Sequence, residues 1–118
     1  MDIFSLNNKI IIVTGASGLL GREHIEAIAA FGGTPILIDL NQKVLDEQVN
    51  ILNSKYNINS SGYAVDITNE IDVKKNQQEI IKQYGKIDGL VNNAANNPKV
   101  ENTNEINFYR LENFPLDV

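Results

Sequence analysis

The sequence predicts an α/β fold: a doubly wound parallel sheet of four strands in the order 3-2-1-4, with three helices. Short β-branched runs alternate with longer segments of helical period. The runs are apolar on both faces, as befits strands buried between helices, and glycines punctuate the joints.

Each element follows from its residues in turn. Lys9 to Val13 (KIIIV) is the first buried strand. Gly18 to Phe31 reads as a helix, with Gly21, Ile25 and Ile28 at i, i+4 and i+7 and Gly32-Gly33 as its stop. Pro35 to Leu40 (PILIDL) is the second strand. Lys43 to Lys55 is the second helix, striped by Leu45, Val49 and Leu52. Gly62 to Val65 is a short third strand. Thr68 is expected to cap a third helix running to Tyr84, with Val73, Ile80, Ile81 and Tyr84 inward and Gly85 ending it. Ile87 to Asn92 (IDGLVN) is the fourth strand. Right-handed crossovers then place the first two helices on one sheet face and the third on the other. Residues 1–97 form this β-α-β-α-β-α-β unit. Residues 98–118 are polar, rich in asparagine and without period, a loop in which Pro115 begins an unfinished helix.

Composition narrows the function classes. With 42% hydrophobic and 21% charged residues the chain is an ordinary globular domain. Its net charge of −5, with basic residues scattered apart from Lys74-Lys75, argues against nucleic acid as a partner. No cysteine is present, which excludes disulfides, thiol nucleophiles and Cys-ligated metals. No apolar run approaches a membrane span, and the acidic start MDIFSLNNK is not that of a secretory signal, so the expected location is the cytoplasm. No cluster of His, Asp and Glu has metal-ligand spacing. The single histidine, His24, is expected to face solvent from the first helix.

The chemistry gathers at VTGASGLLG, Val13 to Gly21, between the first strand and first helix. A helix N-terminus offers unpaired N–H groups and a partial positive charge, and so attracts a diphosphate. Gly15 would permit the tight turn, Gly18 the close approach of phosphate, and Gly21 the packing of helix on strand. The spacing is Gly-x-x-Gly-x-x-Gly rather than the Gly-x-Gly-x-x-Gly of the main dinucleotide fingerprint, and no P-loop lysine follows. Asp39 lies eighteen residues after Gly21, at the carboxyl end of the second strand. A carboxylate there can accept from both hydroxyls of an adenosine ribose and would repel a 2′-phosphate, which favours NAD over NADP. Capping of the second helix is the alternative role for Asp39, and Arg22 would offset part of the repulsion.

With these residues in place the chain resembles the N-terminal part of a short-chain dehydrogenase/reductase, a Rossmann-like family. Thr14 to Gly21 is similar to its TGxxxGxG box, with the middle glycine one place early, as in the family's extended, sugar-nucleotide-modifying branch. Asn92-Asn93-Ala94-Ala95 resembles the NNAG signature of the shorter branch, and Asp66-Ile67 resembles its acidic-aliphatic pair. The resemblance implies that Ser17, Leu19 and Leu20 line the pyrophosphate turn. It implies that Asp66 binds the adenine amino group with the Ile67 backbone alongside, and that Asn92 and Ala94 carry the cofactor past the fourth strand. Asn92 and Asn93 can equally tie strands together through their side chains.

The family's chemistry needs a tyrosine with a lysine four residues later. Here Tyr56, Tyr63, Tyr84 and Tyr109 are followed at that distance by Ser60, Ile67, Asp88 and Asn113. The resemblance therefore implies a catalytic half beyond Val118, and a chain that by itself holds a dinucleotide without reacting it. The parent would move hydride between nicotinamide and a carbonyl or alcohol, and the NNAANNPK stretch resembles reductases of surface-sugar pathways. A non-catalytic nucleotide-binding remnant and an extended-branch epimerase or dehydratase are the alternatives. Either way, an open apolar edge at the fourth strand is expected to favour a homo-oligomer.

Overall fold

A computed structural model describes residues 5–94; Ala95 and the expected loop over 98–118 lie outside them. Four strands, β1 (Ile10–Thr14), β2 (Thr34–Asp39), β3 (Ser61–Ala64) and β4 (Gly89–Asn92), alternate with α1 (Leu19–Ala30), α2 (Gln42–Tyr56) and α3 (Glu70–Tyr84). The sheet is wholly parallel with order β3-β2-β1-β4, as expected.

Side chains alternate across each strand, and the two sheet faces therefore bury different sets. Val13 and Leu37 point to one face, where they meet Ala16, Ile25 and Ile28 and then Leu45 and Leu52 of α2. Ile10, Ile12, Ile36 and Ile38 point to the other, where Ile80 of α3 covers them. The first two helices thus share a face and the third takes the opposite one. Complete burial of each such side chain contributes about 1.5–3 kcal/mol, so these two layers supply the main drive to fold.

The helix ends show where local chemistry departs from pattern. Thr68 is not the cap of α3. Its N–H and hydroxyl both donate to Asp66 Oδ1, at 2.9 and 2.6 Å, which commits it to a turn around that carboxylate. Asn69 caps instead, accepting the Asp72 N–H at 3.1 Å. Asn41 does the same for α2 through Val44 N–H at 3.1 Å. On α3, Ile80 is fully buried while Ile81 is 37% exposed, because neighbours on a helix point about 100° apart and only one can face the sheet. Tyr84 is half-buried, and its hydroxyl bonds the Asn59 carbonyl and Ser61 Oγ. His24 is half-buried rather than fully solvent-facing.

Two side chains finish the sheet. Asp88 Oδ2 accepts the Ile10 N–H at 2.8 Å, tying the start of β1 to the residue preceding β4. At the far border, Gln42 lies along β3: its Nε2 donates to the Gly62 carbonyl and its Oε1 accepts the Ala64 N–H, each at 2.9 Å. One amide thereby fills two ladder positions that an edge strand would otherwise leave open.

Candidate functional site

β1 sits between β2, reached through α1 on one face of the sheet, and β4, reached through α3 on the other. That reversal opens a crevice at the carboxyl ends of the strands. A cleft of about 450 Å³ occupies it. Gly15, Gly18, Leu19 and Leu20 form one wall, Ile38 to Leu40 a second, Val65 to Ile67 a third, with Asn93 and Ala94 beneath.

The three glycines of the turn answer to different constraints. Gly15 has φ +66°, a left-handed conformation, and a Cβ there would lie 3.0 Å from Ala94 Cα. At Gly21 a Cβ would fall 2.0 Å from the Gly15 carbonyl oxygen, so glycine is what lets α1 seat on the turn. Gly18 is unlike both. Its φ is −77°, open to any residue, and among the described residues a Cβ would meet only the Gly15 oxygen at an ordinary 3.4 Å. Among the described residues neither backbone nor packing requires glycine at 18, which lines the cleft as the N-cap of α1.

That N-terminus is electropositive and, among the described residues, has no capping side chain. α2 and α3 are each capped by an asparagine side chain, whereas α1 has no side-chain cap and no acid in its first turn. The amides of its first turn and its dipole therefore remain available to an anion in the cleft. A phosphate group fits this arrangement.

Asp39 stands across from that terminus at the end of β2. Its Oδ2 accepts the Ser17 N–H and its Oδ1 the Leu40 N–H, each at 2.8 Å. It does not cap α2, since Asn41 does. Each oxygen retains a lone pair for a further donor. Asp66 is exposed at the adjoining wall, and its bonds from Thr68, hydroxyl and N–H, hold its carboxyl below the usual range.

Of the eleven residues singled out by sequence, Gly15, Gly18, Leu19, Leu20, Asp39, Asp66, Ile67 and Ala94 line the cleft together, and three do not. Gly21 is buried beneath the turn. The Ser17 hydroxyl turns away and donates to Gln48 Oε1 at 3.0 Å. Asn92 accepts from the Thr14 hydroxyl at 3.2 Å, the strand-tying role.

Thr14, noted in the sequence only as the start of the TGxxxGxG-like box, carries a structural role that the sequence did not show. It is fully buried, and its hydroxyl oxygen accepts the N–H groups of Asn93 and Ala94 at 3.0 and 3.1 Å. Asn93 Nδ2 then reaches the Gly15 carbonyl at 3.3 Å. One hydroxyl thus holds the floor of the cleft against the turn. The signal was a lone hydroxyl at the carboxyl end of an otherwise aliphatic strand.

Comparison with known proteins agrees with this geometry. The chain matches the family described as short chain dehydrogenase over residues 9–114. It is 38% identical over 95 residues to a sorbose reductase of Candida albicans, covering 80% of this chain and 34% of that protein. It is 33% identical over 92 residues to a NAD-dependent glycerol dehydrogenase of Listeria innocua, covering 78% and 35% respectively. The crystal structure of L-sorbose reductase from Gluconobacter frateurii, complexed with NADPH and L-sorbose, superposes with a TM-score of 0.75 at 26% identity. It covers 92% of this chain and 42% of that one. The chain spans about a third of the length of the curated relatives it matches. Fold, site geometry and sequence agree: the chain belongs to the short-chain dehydrogenase family, whose members are oxidoreductases using NAD or NADP.

Proposed function

We propose that the cleft binds NAD and that the chain is the cofactor-binding portion of an oxidoreductase acting on a sugar or polyol. The observation that carries this reading is Gly18, a glycine that the backbone and packing of the described residues do not need, placed at the N-terminus of α1, which has no side-chain cap. A diphosphate is the group that uses both the clearance and the free amides. Gly15, Gly18, Leu19 and Leu20 would hold it, Ser17 and Gly21 shaping the turn from behind. Asp39 would take the adenosine ribose hydroxyls, Asp66 the adenine amino group with the Ile67 backbone beside it, and Ala94 the continuing cofactor, with Asn92 fixing the strand end below.

The bound nicotinamide would supply hydride chemistry; this chain's residues bind and orient. NAD is favoured over NADP because, among the described residues, the cleft wall carries two aspartates and no lysine or arginine. Arg22 donates its Nε to the Ser17 carbonyl at 3.1 Å and keeps its charge and Nη donors, so it offsets part of that preference. The sorbose reductase and glycerol dehydrogenase among its relatives support a ketose or polyol as the parent's substrate. Within the 118 residues no tyrosine has a lysine four places on, so the chain by itself is expected to bind without turnover.

Calorimetric titration of the full chain with NAD and NADP tests the reading, alongside Asp39→Ala. NAD should bind more tightly, and the substitution should weaken NAD and narrow the gap. Unchanged affinity for both nucleotides in Asp39→Ala would remove Asp39 from the site.

A further inference from the structure

Gln48 lies three residues after Leu45 and four before Leu52, so it sits on the side of α2 that packs inward, and it is half-buried. Its amide has one donor group and one acceptor, and the glycine turn engages both. Nε2 donates to the Ala16 carbonyl at 3.1 Å, and Oε1 accepts from the Ser17 hydroxyl at 3.0 Å. The same two residues are also fixed elsewhere. Ala16 N–H donates to the Ile38 carbonyl at 3.1 Å, Ser17 N–H to Asp39, and the Ser17 carbonyl accepts from Arg22. Neither Gln48 nor Ser17 lines the cleft.

We infer that Gln48 is a positioning residue for the cofactor's diphosphate, holding the turn in its receptive shape before the ligand arrives. The inference rests on reading the cleft as a dinucleotide site. A turn containing Gly15, Gly18 and Gly21 has many backbone conformations open to it, and confining them at the moment of binding would cost affinity. Gln48 removes part of that freedom in advance, from a rigid helix. Its chemistry is specific: glutamate would set an oxygen against the Ala16 carbonyl, and lysine would offer Ser17 no acceptor. Asp39 works on the cleft side of the same peptide and Gln48 on the far side, so the turn is gripped between them.

The test uses the full chain with Gln48→Met, Gln48→Glu and Ser17→Ala. Methionine keeps the length and helix propensity while removing both polar partners. Two quantities are read: solvent exchange of the Ser17 and Gly18 amides by NMR without ligand, and NAD affinity by calorimetry. In Gln48→Met, exchange at those amides should accelerate about two- to twelvefold, the range expected for a neutral hydrogen bond. Amides of β1 and α3 should keep their rates, and NAD should bind more weakly by a similar factor. Gln48→Glu should bind NAD more weakly still, having brought an anion to the turn. Ser17→Ala combined with Gln48→Met should fall short of the sum of the two. Exchange or NAD affinity at the unsubstituted level in Gln48→Met overturns the role of Gln48 while leaving the cleft's reading intact. Failure of the unsubstituted chain to bind NAD overturns the cleft's reading and this role with it.

Discussion

Replacing Gly18 with alanine should separate binding from folding. The backbone there is at φ −77° and ψ 175°, and among the described residues the new methyl would meet only the Gly15 oxygen at 3.4 Å, an ordinary contact. Alanine narrows the unfolded ensemble, which stabilises by about 0.4–1 kcal/mol, and is a poorer cap residue than glycine by a comparable amount. The two nearly cancel, so the melting temperature should stay close to that of the unsubstituted chain. The cleft feels the methyl differently, because it stands between the α1 amides and any phosphate approaching them. Loss of one charge-assisted hydrogen bond costs about 1.5–3 kcal/mol, or roughly a ten- to hundredfold rise in the Kd for NAD. Gly21→Ala is the contrast: its methyl would lie 2.0 Å from the Gly15 oxygen, so the turn or helix must move and stability should fall by about 1–3 kcal/mol. Differential scanning calorimetry and NAD titration on the same samples make the measurement. A Gly18→Ala chain that binds NAD normally would refute the account of what that glycine is for.

Thr14→Val preserves shape while removing the hydroxyl that Asn93 and Ala94 N–H groups share. Stability should drop by about 1–3 kcal/mol, seen as a lower urea midpoint with an unchanged slope. The Ile10 N–H, followed by Lys86, holds the Asp88 carboxyl below its ordinary value of 3.8. A lowered native value means its contribution is fully present above pH 3.8 and disappears as pH falls below that value toward the native one. Melting temperature followed from pH 6 down to pH 2.5 should therefore decline less in Asp88→Asn than in the unsubstituted chain. Parallel declines would show that Asp88 is not part of the acid transition.

The fold was legible because it rests on period and punctuation, which are local. Strands that are apolar on both faces imply cover on both sides. The alternation with helices then leaves little choice of topology, and the observed two-face division of Leu37 from Ile36 and Ile38 follows. Asp39 and the glycines were legible through spacing, since a helix N-terminus and the end of the neighbouring strand must meet at one crevice. The unread contacts join residues far apart in the chain. Thr14 meets Ala94 across 80 positions and Gln48 meets Ser17 across 31, and no pattern along the sequence records such a bond. Gln48 left one trace, a polar residue on the flank of the Leu45–Leu52 stripe. The misplaced cap at Thr68 has a related cause: two capping residue types stood in succession, and the pull of Asp66 on the first decided for the second.

Gln42 gives the sheet a finished border. A strand offered by another molecule would find the Gly62 carbonyl and the Ala64 N–H already matched by a side chain that copies a passing backbone. To gain a place it would have to evict that amide, leaving its Oε1 in need of a new partner and its Nε2 with Asp46 alone. Encounters between copies at this flank therefore carry an entry cost that an uncovered strand would not impose. Among the described residues, a strand joining this sheet is steered toward the opposite edge, where β4 runs.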